Sequence, residues 1–90
     1  MTFGESLVVW RYRRRYLREM RRKDGRPRYE ELSADATARL SIDGLHHLQE
    51  ILKDERAAHR KRGDNRAADS LTSAVRGLDS RVQILDDMLR

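Results

Sequence analysis

The sequence predicts an all-α fold, on three observations. Breakers are scarce, with one proline and five glycines in 90 residues, which leaves room for long helices. Apolar residues make up 38% of the chain and charged residues 39%, a balance that suits amphipathic helices around one modest core. Apolar positions recur at helical spacing near the N-terminus and again from Leu45 onward. Together these predict one small domain: an N-terminal amphipathic basic helix, a turn-rich segment, and a long helical hairpin whose C-terminal arm carries coiled-coil-like heptads.

The first helix is expected over residues 3–22. Thr2 and Glu5 read as a T-x-x-E capping box at its start. On a helical wheel Val9, Trp10, Tyr16, Leu17 and Met20 fall within about a third of the circumference. Arg11, Arg14, Arg15, Arg18, Arg21 and Arg22 crowd the opposite arc. Arg13 falls inside the apolar sector, where its stem can snorkel outward. The run KDGRP, residues 23–27, closes the helix, because Asp24-Gly25 is turn chemistry and Pro27 keeps Arg26 out of the helical region.

Residues 23–44 are expected to be turn-rich or to form a short helix. RYEEL reads as a short helix start, and Ser33 or Asp35 as the cap of a further one. Ala38, Leu40 and Ile42 alternate as in a strand, but a lone strand has no partner here. Helix with an irregularity near residues 41–44 is the better fit. The stretch TARLSIDGLHHLQEIL, residues 37–52, loosely resembles a helix-turn-helix reader. The resemblance covers these residues alone, and the recognition helix it implies would present His46, His47 and Gln49 with little positive charge.

The hairpin is expected over residues 45–62 and 66–89. Leu45, Leu48, Ile51, Leu52 and Ala58 mark its first arm, Gly63 its stop, and Asp64 or Asn65 the next N-cap. In the second arm Leu71, Leu78 and Leu85 stand seven apart, as do Ala68, Val75, Val82 and Leu89. Valine at a with leucine at d is the preference of a parallel two-stranded coiled coil. Arg81 at g and Asp86 at the following e would then pair across the dimer. The same stripe, Leu71, Val75, Leu78, Val82, Leu85 and Leu89, also fits intrachain packing onto Leu45, Leu48 and Leu52, which the short connection favours. Gly77, mid-helix, costs about 1 kcal/mol relative to alanine. So much apolar surface on so short a chain predicts a homo-oligomer, two hairpins making a four-helix bundle.

Charge narrows the function. The net charge is +5, yet residues 1–30 hold ten Lys/Arg against four Asp/Glu, whereas residues 31–90 hold ten against eleven. The basic character therefore belongs to one element. Its six arginines can each fork onto a phosphate, and Trp10, Tyr12 and Tyr16 can stack on bases where exposed, although periodicity turns Trp10 and Tyr16 toward the core. A second basic patch, Arg56, Arg60, Lys61, Arg62 and Arg66, surrounds the expected hairpin tip. There the cations also suit the last turn of a helix without any ligand.

Enzyme chemistry is not expected. The chain holds no cysteine, so it has no redox pair or cysteine-based zinc site. No P-loop, G-x-S-x-G or H-E-x-x-H is present, and the serines lie in no nucleophile motif. His46 with Glu50, four apart on one face, is too small a ligand set for a metal beside Asp43, His47 and Asp54. Arg62-Gly63-Asp64 matches an adhesion tripeptide by chance. No cofactor is expected. No apolar run reaches the about 20 residues of a membrane span, and the short run LVVW precedes the positive charges, the reverse of a secretory signal. A cytoplasmic protein is expected.

These observations point to a non-enzymatic protein that binds nucleic acid, DNA or RNA, through its arginine face, as a regulator or accessory factor. The alternative is an adaptor or inhibitor that sets the same face against an acidic or nucleic-acid-binding surface of a larger protein. Small size and dense charge would also suit a phage or mobile-element protein or a virion assembly component.

Overall fold

In a computed structural model that describes residues 2–90, the chain forms four helices and, among those residues, no strand. They are α1 (Phe3–Met20), α2 (Tyr29–Arg39), α3 (Ile42–Lys61) and α4 (Asn65–Met88). The expected all-α class is therefore what the chain adopts. The segment between basic helix and hairpin is a helix in its own right.

Local chemistry sets most boundaries. Thr2 Oγ1 accepts the Glu5 amide at 3.1 Å and caps α1. The capping box is only half made, because the Glu5 carboxylate turns to Ser41, accepting its backbone N–H at 2.9 Å and bonding its hydroxyl as well. Ser41 Oγ in turn accepts the Gly44 amide at 3.1 Å and caps α3. Neither Ser33 nor Asp35 caps a helix: both sit inside α2. Arg28, the residue before α2, offers no side-chain cap. Its own amide is instead taken by the Glu19 carboxylate of α1 at 2.8 Å. The irregularity expected near residues 41–44 is a two-residue extended link, Leu40 and Ser41, with ψ of 149° and 167°. Gly63 ends α3 at φ 80°, a left-handed conformation that costs other residues roughly 1–2 kcal/mol. Asp64 Oδ1 then accepts the Ala67 amide at 3.2 Å to cap α4.

Helix directions follow from the contacts. Glu5 meets Ser41 and Arg13 meets Glu55, so α1 and α3 run the same way. Gln49 donates to Asp79 at 2.6 Å and Arg60 to Asp69 at 3.2 Å, so α4 returns antiparallel to α3. Tyr29 meets Ser70 at 2.6 Å while Ala38 borders Ile84 and Leu85, so α2 runs with α4. Thus α1 packs against α2 and α3, and α4 against the same two helices. Val9, Tyr12 and Tyr16 meet Leu32 and Ala36 of α2, Leu45, Leu48 and Leu52 of α3, and Val75, Leu78 and Val82 of α4 in one core.

The heptad stripe is spent within the chain. Leu71, Val75, Leu78 and Val82 are buried, Leu85 packs at the margin, and Leu89 is 73% exposed. Arg81 pairs with Glu30 of α2, and Asp86 lies 3.5 Å from His46 of α3, so both charges expected to pair across a dimer have partners at home. The second helix of the helix-turn-helix resemblance is equally committed. α3 is held between α1 and α4, with Gln49 buried against Asp79. No helix among the described residues is long and apolar enough to cross a membrane.

Candidate nucleic-acid interface

The inward face of α1 is rotated by roughly half a residue step from the sector that apolar spacing alone selects. Tyr12, placed outside that sector, is 3% exposed, and Trp10, placed within it, is 48% exposed. The neighbours explain the shift. Tyr12 donates its hydroxyl to Asp35 of α2 at 2.6 Å, and Arg13 donates from Nε to Glu55 of α3 at 3.1 Å. A helix wedged between two others orients to meet both. Tyr12 is therefore unavailable for stacking on a base. Burial, reinforced by the hydrogen bond to Asp35, pushes its phenol up to about 12.

This rotation sorts the six arginines into two sets. Arg11, Arg14, Arg18 and Arg21 are exposed and, among the described residues, have no ion-pair partner. Arg15 is drawn to Asp35 at 3.3 Å, with its guanidinium 5.3 Å from the centre of the Tyr12 ring. Arg22 is half-buried and shared between Glu19 at 3.3 Å and Asp24 at 3.4 Å. Arg15 ties α1 to α2 and Arg22 is held locally, so both are less free to meet a ligand. The second basic patch divides similarly. Arg60 pairs with Asp69, and Arg62 donates to His59 Nδ1 at 3.0 Å. Arg56 is partly buried, whereas Lys61 and Arg66 are exposed and without an ion pair among the described residues.

The bundle brings the two basic clusters, far apart in sequence, to one end. Because α1 and α3 run the same way, the C-terminus of α1 lies beside the turn from α3 to α4. A cleft of about 720 Å³ opens between them, lined by Arg21, Arg22, Lys23, Pro27, His59 and Arg66, with Asp64 as its acidic member. Arg21, Arg22 and Lys23 there follow the C-terminus of α1, where the dipole favours positive charge, whereas Arg66 lies in the first turn of α4. Lys23 and Arg66 thus join the arginine face, a juxtaposition that no local motif announces.

The outer face of α1 continues toward its N-terminus with apolar residues. Phe3 is 81% and Leu7 50% exposed, and with Trp10 they stand at i, i+4 and i+7. That spacing was legible in the sequence. In the structure all three stand exposed on the arginine side of α1.

Among the described residues no cluster of three or more His, Asp or Glu is placed to hold a metal ion. No protein-family model matches the chain, and no curated protein or solved structure matches it. The fold and the site define a small four-helix protein with one cationic face.

Proposed function

We propose that the chain is a non-enzymatic nucleic-acid-binding protein whose contact surface is the outer face of α1. The observation that carries this reading is the set of four exposed arginines, Arg11, Arg14, Arg18 and Arg21, on one helix face with no acidic partner among the described residues. Arginines that brace a fold are paired, as Arg13, Arg15 and Arg22 are. Unpaired guanidinium groups in a row match a polyanion, because each can fork onto a phosphate. Lys23 and Arg66 extend the same potential around the cleft, so the footprint runs down the helix and over one end of the bundle.

The test is fluorescence anisotropy with labelled duplex DNA and single-stranded RNA, at low and at physiological salt. Binding is expected to persist at physiological salt. With four phosphate contacts, the slope of log affinity against log salt is about −3 to −4. Changing Arg11, Arg14 and Arg18 together to glutamate is expected to abolish binding and leave the fold intact, because all three are exposed and, among the described residues, make no side-chain hydrogen bond or ion pair. The second reading is a protein partner with an acidic surface. It draws on Phe3, Leu7 and Trp10, exposed beside the arginines and suited to anchoring such a contact. No binding to either nucleic acid at physiological salt would favour it.

A further inference from the structure

Trp10 is the only tryptophan in the chain and stands half in water, although Val9 and Tyr12, one residue before it and two after, are buried. It is not loose there. The Arg13 guanidinium lies 5.2 Å from the centre of its ring, close enough for attraction to the ring quadrupole. That same guanidinium is bound through Nε and Nη2 to Glu55 of α3. The indole is thus restrained on one side by a cation that the bundle itself holds, while about half of the side chain remains open.

The surroundings of the open side pass from apolar to cationic along the helix. Phe3 and Leu7 precede Trp10 along the outer face, and Arg14 follows one turn on, about 6 Å along the axis. Arg11 and Arg18 stand along one side of that line, and all three arginines lack ion pairs among the described residues. An aromatic platform is therefore set directly into a row of free cations.

We infer that Trp10 is a stacking platform for an unpaired base, and that the ligand of this face is single-stranded nucleic acid. The inference rests on the reading of the arginine face as a nucleic-acid interface. In a duplex each base is covered above and below by its neighbours, so a flat ring on a convex helix finds no face to meet. A single strand presents bare faces, and stacking one on an aromatic side chain is worth about ten-fold or more in affinity. Arg11, Arg14 and Arg18, all C-terminal to Trp10 on the helix, hold the phosphates on one side of the stacked base. Leu7 and Phe3 extend the apolar floor along the strand. Stacking would not depend on which base is presented, since every base has a π-face.

The lone tryptophan makes the test direct, because intrinsic fluorescence reports on this ring alone. The full chain is titrated with an oligothymidylate of about 16 nucleotides and with the same strand annealed to oligoadenylate, at physiological salt. The single strand is expected to quench the fluorescence and to bind about ten-fold more tightly than the duplex. Trp10→Ala is expected to remove that advantage and leave duplex affinity unchanged, whereas Trp10→Phe retains most of it. Equal affinity for the two forms, or single-strand affinity unaltered in Trp10→Ala, would overturn the stacking role while leaving the arginine face standing. If neither form binds at physiological salt, the nucleic-acid reading falls and the stacking role falls with it. Helical circular dichroism of Trp10→Ala confirms that a lost affinity is not a lost fold.

Discussion

Tyr16 is fully buried in the middle of the core, yet it carries a hydroxyl. It satisfies that group by a 2.7 Å hydrogen bond with Ser33 of α2, itself buried. Its ring lies 6.0 Å from that of Tyr29, stacked at 26°. The hydrogen bond explains a serine in the interior of α2, where it otherwise favours caps and turns. Tyr16→Phe is expected to cost about 1 kcal/mol, read as a shift of the urea midpoint, because the orphaned Ser33 hydroxyl can fall back on a carbonyl of its own helix. Burial also pushes the Tyr16 phenol up to about 12, as it does for Tyr12. An unfolded tyrosine releases its proton near pH 10, whereas the folded one holds it to about 12. The unfolded state therefore loses protons first, and stability falls as pH rises across that window. Tyrosinate absorbance and helicity, followed together in alkali, are expected to change in a single transition, with a shallower loss of stability in Tyr16→Phe.

At the scale of elements, carboxylates of α1 accept backbone amides at the starts of two other helices. Glu5 accepts from Ser41 at the start of α3, and these hydrogen bonds hold its carboxyl below the usual range. Glu19 does the same for the start of α2 through the Arg28 amide. Asp35 is held low first by the Tyr12 hydroxyl, with Arg39 and Arg15 adding to it. All three shifts are downward, so the unfolded state takes up protons before the folded one does. The stability they contribute is present above the ordinary carboxylate pKa values and is lost as pH falls below about 4. Glu5→Gln is expected to lower the urea midpoint at neutral pH and to narrow the difference between neutral pH and pH about 3. Gly44 belongs to the same junction, since an added Cβ would meet the Glu5 carboxylate. Gly44→Ala is therefore expected to displace Glu5 and reproduce much of the Glu5→Gln effect in the same urea titration.

The whole molecule is polarised along its 38 Å length. Exposed Phe3 and Leu7 of α1 and Met88 and Leu89 of α4 stand at one end, and the cationic cleft at the other. Between them α4 gives its heptad face to its own chain. Leu78→Ala, at a fully buried position, is expected to cost about 2–5 kcal/mol, whereas Leu89→Ala, at an exposed one, is expected to change stability by less than about 0.5 kcal/mol. Thermal unfolding over a range of protein concentrations distinguishes this from an interchain seam. An intrachain core gives a fixed midpoint, and a dimer seam gives one that rises with concentration.

The sequence by itself determined that the chain is helical, where most helices start and stop, and which element carries the charge. Those features are local: the Asp24-Gly25 turn, the Asp64 cap, the left-handed Gly63, the 3.6-residue period and the clustering of arginine. Residues 29–39 were harder to read, because α2 has no local cap and depends on Glu19 from another helix. Which way α1 faces was also beyond the pattern. Apolar spacing turned Trp10 inward and left Tyr12 out, and only contact with Asp35 on one side and Glu55 on the other fixed the opposite outcome. The same holds for the arginines, which look equivalent in sequence. The tertiary structure alone decided that Arg15 pairs with Asp35, that Arg11, Arg14, Arg18 and Arg21 have no ion-pair partner among the described residues, and that Lys23 and Arg66 join them, whereas Arg22 pairs locally with Glu19 and Asp24. Free and paired cations differ only in what stands within about 4 Å of them, and helix packing sets that distance between residues far apart along the chain.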